Sequence, residues 1–100
     1  MTTLVLENEP VAERVVVTHE LLVVGLVDGR TLSVPLAWYP RLKNAAVAEQ
    51  QNVHLLGDGC AMEWPDLDEH IGVESLLAGR RSGESVASLQ RWLASRNAGQ

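Results

Sequence analysis

The 100-residue sequence contains no phenylalanine, one tyrosine and three tryptophans. Its core must therefore come mostly from Val, Leu and Ala, and each tryptophan is by far the largest packing unit available. Cysteine is almost as scarce. Cys60 stands alone, so no intrachain disulfide can form, and a reducing, cytoplasmic setting is expected. A catalytic thiolate would need a neighbouring histidine or cation to lower its pKa. Cys60 instead follows a Gly-Asp-Gly turn and alternates with Met62 and Trp64, which reads as a core-facing strand thiol. Positive charge is also in short supply: eight Lys and Arg against thirteen Asp and Glu give a net charge of −5. A nucleic-acid binder needs a basic face to displace counterions from phosphates, so DNA or RNA is not expected as the main partner. The one route left to it is a local patch of the C-terminal arginines Arg80, Arg81, Arg91 and Arg96. No apolar run approaches the roughly eighteen residues of a membrane span. The opening "MTTLVLENEP" lacks the basic flank and apolar stretch of a secretory leader, and no membrane association is expected.

What is present is an apolar fraction of 46% and a charged fraction of 21%, the balance of a soluble folded chain. The length suits one domain with one core and little room for a deep cleft. Residues 1–10 read as a tail or an edge strand, because Leu4, Val5 and Leu6 are stopped by Glu7, Glu9 and Pro10. Residues 11–79 read as the core domain, and residues 80–100 as an amphipathic helix and tail. Within the core, "ERVVVTHELLVVGLVDGRTLSVPL" is β-branched and broken at His19-Glu20 and Asp28-Gly29. Asp-Gly is a strong hairpin signal, since a type I′ turn requires positive φ at both central residues. Strands are predicted over 13–18, 21–27 and 30–35, as an antiparallel meander with the second strand central. Pro35 ends the third, because it donates nothing to a ladder. A helix is predicted over 39–51, with Pro40 in its first turn and Asn44 a point of interruption. Two further strands follow at 53–56 and 60–64, then a short helix through "IGVESLLAG" and a longer one through "ESVASLQRWLASR". In the longer helix Val86, Leu89, Trp92 and Leu93 share a face. The fold class is α+β, with the C-terminal helices packed on one face of the sheet.

Three stretches carry a resemblance: "DGRTLSVPLAWYPRL" at 28–42, "LLGDGCAMEWPDLDEHIGVESLLAG" at 55–79 and "SGESVASLQRWLASR" at 82–96. Their combination resembles the bacterial domain-of-unknown-function family 2442, over most of residues 12–96. The specific pieces are the D-G-R-x-x-x-V-P hairpin edge, the W-Y-P-R-L helix start and the G-D-G-x-x-x-x-W-P strand. The resemblance implies a small α+β protein similar to the N-terminal half of proteins that elsewhere carry a helix-turn-helix domain. It also implies a setting beside a small partner protein, as in a toxin–antitoxin pair. One helix after position 82 does not make a complete helix-turn-helix. The resemblance implies no catalytic residue.

The densest charge lies in "EWPDLDEHIGVESLLAG", where Glu63, Asp66, Asp68, Glu69 and Glu74 surround His70. Read as a calcium loop from Asp66, it has Ile71 where glycine is required and Leu77 where the final Glu is required, so the match fails. A zinc site would need His54, Cys60 and His70 to converge without motif support. The expectation is that Asp66, Asp68 and Glu69 favour the positive end of the following helix and keep the surface soluble. Neither a nucleophile motif nor a phosphate loop is present. No catalytic residue, metal ligand or cofactor is assigned, and the chain is not expected to be an enzyme.

The remaining candidates for function are aromatic and arginine side chains, the types enriched at interface hot spots. Trp38, Tyr39, Arg41 and Trp64 lie near proline-punctuated joints, and Arg91 and Trp92 lie on the last helix. Trp38 and Trp64 have a competing role as core. The helix with Trp92 can fold back on its own sheet or bury against a partner. The functional expectation is a protein-interaction domain, antitoxin-like or accessory to a small partner, with a second copy of the chain as another possible occupant. The alternatives are a dimeric DNA-associated regulator and, further off, a metal-dependent enzyme using His54, Cys60, Glu63 and His70.

Overall fold

Alternating apolar residues folded about two short turns build the first half of the molecule. The computed structural model describes residues 10–98. In it β1 (Ala12–Val17), β2 (Leu21–Leu26) and β3 (Thr31–Pro35) form an antiparallel sheet in the order β1-β2-β3. The expected tail or edge strand at 1–10 lies, apart from Pro10, outside the described residues. At the first turn the Thr18 hydroxyl accepts the Leu21 N–H at 2.9 Å. At the second, the Asp28 carboxylate accepts the Arg30 N–H at 3.0 Å, and Gly29 takes a φ of 97° that a side chain would resist. Strand β2 is central, as its two apolar faces predict. Leu22, Val24 and Leu26 are buried on the core side, while Leu21 on the other face is exposed.

The predicted helix breaks at Asn44. After a single 3-10 turn at Leu36–Trp38, α1 (Pro40–Lys43) and α2 (Val47–Gln51) replace one continuous helix. The Asn44 amide donates to the Pro40 carbonyl at 2.8 Å and competes with continuation of the helix. The Glu49 carboxylate accepts the Ala46 N–H at 2.9 Å and starts α2.

The second sheet contains β4 (His54–Leu56), β5 (Ala61–Trp64) and β6 (Glu69–Gly72), in the order β4-β5-β6. The two expected strands are present, and β6 is added to them. It pairs Ile71 with Met62 and Glu69 with Trp64. A 3-10 turn at Pro65–Leu67 and Asp68 at φ 50° reverse the chain to make this pairing. The expected strand face for Cys60 is corrected: the strand starts at Ala61, and Cys60 lies exposed in the preceding turn. Its alternation with Met62 and Trp64 runs one residue past the ladder that would have turned it inward.

Two helices close the chain, α3 (Val73–Leu77) and α4 (Val86–Ala98). One buried cluster draws on both sheets and the helices between them. It includes Leu22, Val24 and Leu26 of the first sheet, Met62, Trp64 and Ile71 of the second, and Leu36, Tyr39, Leu42, Val73 and Leu76. The sheets also touch through backbone: the Ala12 N–H donates to the Gly59 carbonyl at 2.8 Å. Gly59 has φ 102°, and a Cβ there would strike the Ala12 carbonyl oxygen. Among the described residues no helix is long and apolar enough to cross a membrane.

Candidate functional site

Pro35 ends β3, and the 3-10 turn that follows presents Trp38 half-buried at the edge of the core. The segment joining α3 to α4 returns past it. The Ser82 N–H donates to the Trp38 carbonyl at 3.1 Å, which sets the Arg81 guanidinium over the Trp38 ring at 4.7 Å. A cation on an indole face gains electrostatic attraction while leaving the ring edge accessible. Tyr39 points the other way. It is 3% exposed, and its hydroxyl donates to the Arg80 carbonyl at 2.8 Å.

The returning segment also bounds a cavity of about 230 Å³, lined by Tyr39, Glu69, His70, Ser75, Arg80 and Arg81 among others. A neighbouring hollow shares Glu69, Ser82 and Gly83 with it and adds Arg41, Glu84 and Ser88. Glu69 lies on the face of the second sheet that carries Trp64 and Ile71. Its burial there pushes its carboxyl above the usual range, against the pull of the His70 N–H and the Arg41 charge. The cavity therefore offers two arginines, two serines, a histidine and a carboxyl that ionises reluctantly, in a volume that holds a side chain rather than a cofactor.

Arg41 is the hub of a second cluster. From α1 it donates to both oxygens of Glu84, at 3.0 and 3.1 Å from Nε and 2.6 Å from Nη2. Nη1 reaches the Leu67 carbonyl at 3.0 Å. Its guanidinium also lies 5.0 Å from the Trp92 ring centre, and Arg96 lies 4.6 Å from the same ring. Arg96 in turn donates to Glu49 at 2.6 and 3.0 Å. Trp92, half-buried, is thus flanked by two arginines, each tied to a glutamate. The paired guanidinium holds each carboxyl, Glu84 and Glu49, below its ordinary range.

Trp64 takes the core role: it is 0% exposed, and its indole N–H donates to the Gln50 carbonyl at 2.9 Å, so it presents no surface to a partner. Arg91 is exposed on α4. His54, Glu63 and His70 line up across β4, β5 and β6 as successive register partners on one face. Cys60 is not part of that row. Among the described residues no three His, Cys, Asp or Glu side chains are placed to hold a metal ion. The acidic stretch is also reassigned in part. Glu69 belongs to β6 rather than to a helix start, Asp66 accepts an Asn52 amide hydrogen at 3.0 Å, and the acid in the first turn of α3 is Glu74. The sequence marked Arg81 only as part of a patch of C-terminal arginines, and it did not mark Glu49 or Glu84. Glu84 meets Arg41 across 43 residues, a separation that no local pattern encodes.

Residues 12–82 match the model of a family described as "Protein of unknown function (DUF2442)". No curated protein matches the chain. Among solved structures, the chain is similar to a protein of unknown function from Rhodospirillum rubrum ATCC 11170. The identity is 26% and the TM-score 0.67, over 77% of this chain and 95% of that one.

Proposed function

Because the chain belongs to the DUF2442 family, whose description assigns no activity, we propose its function from its own surface: it is a protein-interaction domain. In this reading it is a cytoplasmic, antitoxin-like or accessory component that binds a small protein partner. The observation that carries it is Trp38, half-buried under Arg81 at 4.7 Å, with Arg81 itself in the lining of a cavity of about 230 Å³. A half-buried indole stacked by an arginine that also lines a side-chain-sized hollow is the arrangement from which interface hot spots are made. Arg81 supplies a second recognition element, since its guanidinium keeps donors free while stacked. The net charge of −5 favours encounter with a basic partner.

The arginines of the C-terminal third support this reading over a nucleic-acid one. Arg96 is paired with Glu49 and so does not stand clear for phosphate. Capture from the native host tests the proposal, with tagged wild type and Trp38→Ala run side by side. A small protein retained at fixed stoichiometry by the wild type, and reduced at least tenfold by the variant, supports it. Equal recovery of the same proteins by both chains contradicts it.

A further inference from the structure

The family match ends at Ser82, four residues before α4 begins, so the last helix lies outside the matched segment. It is attached differently from the rest of the fold. Among the described residues no α4 side chain is fully buried, and Val86 is 72% exposed. The helix is held by Trp92, which packs half-buried against the core, and by polar clamps on either side of it. At the first, Arg41 takes Glu84; at the second, Glu49 takes Arg96, with Trp92 between the two guanidinium groups. The α1–α2 face thus presents a positive group and, eight residues on, a negative one. The α4 segment presents the reverse order. The joining segment "AGRRSGES", residues 78–85, contains two glycines and spans up to about 26 Å when extended.

We propose that the α1–α2 face is a helix-binding surface and that α4 is an exchangeable arm. Its external occupant is α4 of a second copy of this chain. Charge complementarity argues for that occupant: a second copy carries Glu84, Trp92 and Arg96 in the one spacing that this face already accepts. Reciprocal exchange also closes a two-fold dimer in which neither face is left empty. The short tether keeps the arm on its own domain in dilute solution, at an effective concentration in the millimolar range. Exchange takes over when the contact within one chain is weakened and the contact between chains is kept. This surface adjoins the cavity, which shares Glu69, Ser82 and Gly83 with the hollow around Arg41 and Glu84, and the charge reversals test the exchange without altering Trp38.

Complementary charge reversals test the exchange. Arg41→Glu alone sets two carboxylates against each other at the first clamp, and Glu84→Arg alone sets two guanidinium groups against each other there. Each variant purified separately should be a monomer with α4 amides exchanging faster than in the wild type. Mixed one to one, they should form a heterodimer of twice the monomer mass, because each arm now finds its opposite charge only on the other chain. The pair Glu49→Arg and Arg96→Glu repeats the design at the far clamp, and it decides the matter if Arg41→Glu, which also loses the Leu67 carbonyl, fails to fold. Circular dichroism of the double variant Arg41→Glu/Glu84→Arg checks folding with the bridge restored inside one chain. Mixtures of the folded pairs that stay monomeric would overturn the proposal, as would α4 amides equally protected in the single reversals and the wild type.

Discussion

Trp64 and Glu69 are register partners on β5 and β6, and they show how one environment acts on two side chains. The apolar face that hides Trp64 also desolvates Glu69 and raises its carboxyl pKa. A carboxyl raised on folding binds its proton more tightly in the native state. Between the unfolded and folded values, stability therefore falls as pH rises, and at neutral pH the ionised Glu69 is a cost. Glu69→Gln should raise Tm at pH 7 by about 2–4 °C and flatten the acid side of the Tm–pH curve. A lower Tm at pH 7 would show that Glu69 supports the fold as an anion. Trp64→Ala should cost about 3–5 kcal/mol, a large share of the roughly 5–15 kcal/mol that holds such a domain together. Denaturant unfolding measures that loss, and a cost under about 1 kcal/mol would contradict the burial. Several of these roles were legible beforehand. A chain without phenylalanine needs its tryptophans inside, and Trp64 alternates with Met62. The desolvation of Glu69 was not legible, because it depends on a strand that the acid-rich "DLDEHIG" conceals.

At the scale of elements, the hairpin turns and the central position of β2 follow from Asp28-Gly29 and from two apolar faces on one strand. The break between α1 and α2 follows from Asn44. Strand β6 escaped notice because it is four residues long and buries only Ile71 strongly, too little for an alternation to register. The contact between the sheets also gave no local signal, although Gly59 marks it. Two glycines test this. Gly29 and Gly59 both have positive φ, but Gly29 has open space around it and Gly59 lies against the Ala12 backbone. Gly29→Ala should cost about 1–2 kcal/mol from backbone strain alone. Gly59→Ala should cost more, because it also separates the sheets. Equal losses in denaturant melts would contradict that difference.

The attachment of α4 carries a pH prediction. Glu84 and Glu49 have carboxyls lowered by their arginines, so their contribution is complete above the unfolded value of about 4.3 and is lost as pH falls through the folded values below it. The amides of α4 should lose hydrogen-exchange protection as the pH falls below about 4.3, before the sheets unfold. Loss of both together would mean that the helix is integral to the core. Truncation after Ser82 should leave both sheets cooperatively folded at a cost of about 1–3 kcal/mol, since partly exposed ion pairs and one half-buried tryptophan are what it removes.

For the whole molecule, the composition excluded more than it assigned. It left a small acidic α+β domain with scarce aromatics, and the structure keeps Trp38 half-buried at the surface with Arg81 upon it. The α+β class was readable from the order of apolar runs. The pairing of Trp38 with Arg81 was not, because it joins two segments 43 residues apart in sequence through one backbone hydrogen bond at Ser82. The claim that this surface binds a protein is tested most directly by the mass of the species recovered from the native host, read by light scattering beside the purified 10.9 kDa chain. A complex of fixed stoichiometry with a small second protein is predicted, with a return to the free chain's mass when Trp38→Ala is recovered in its place. A species containing this chain alone in both cases would contradict it.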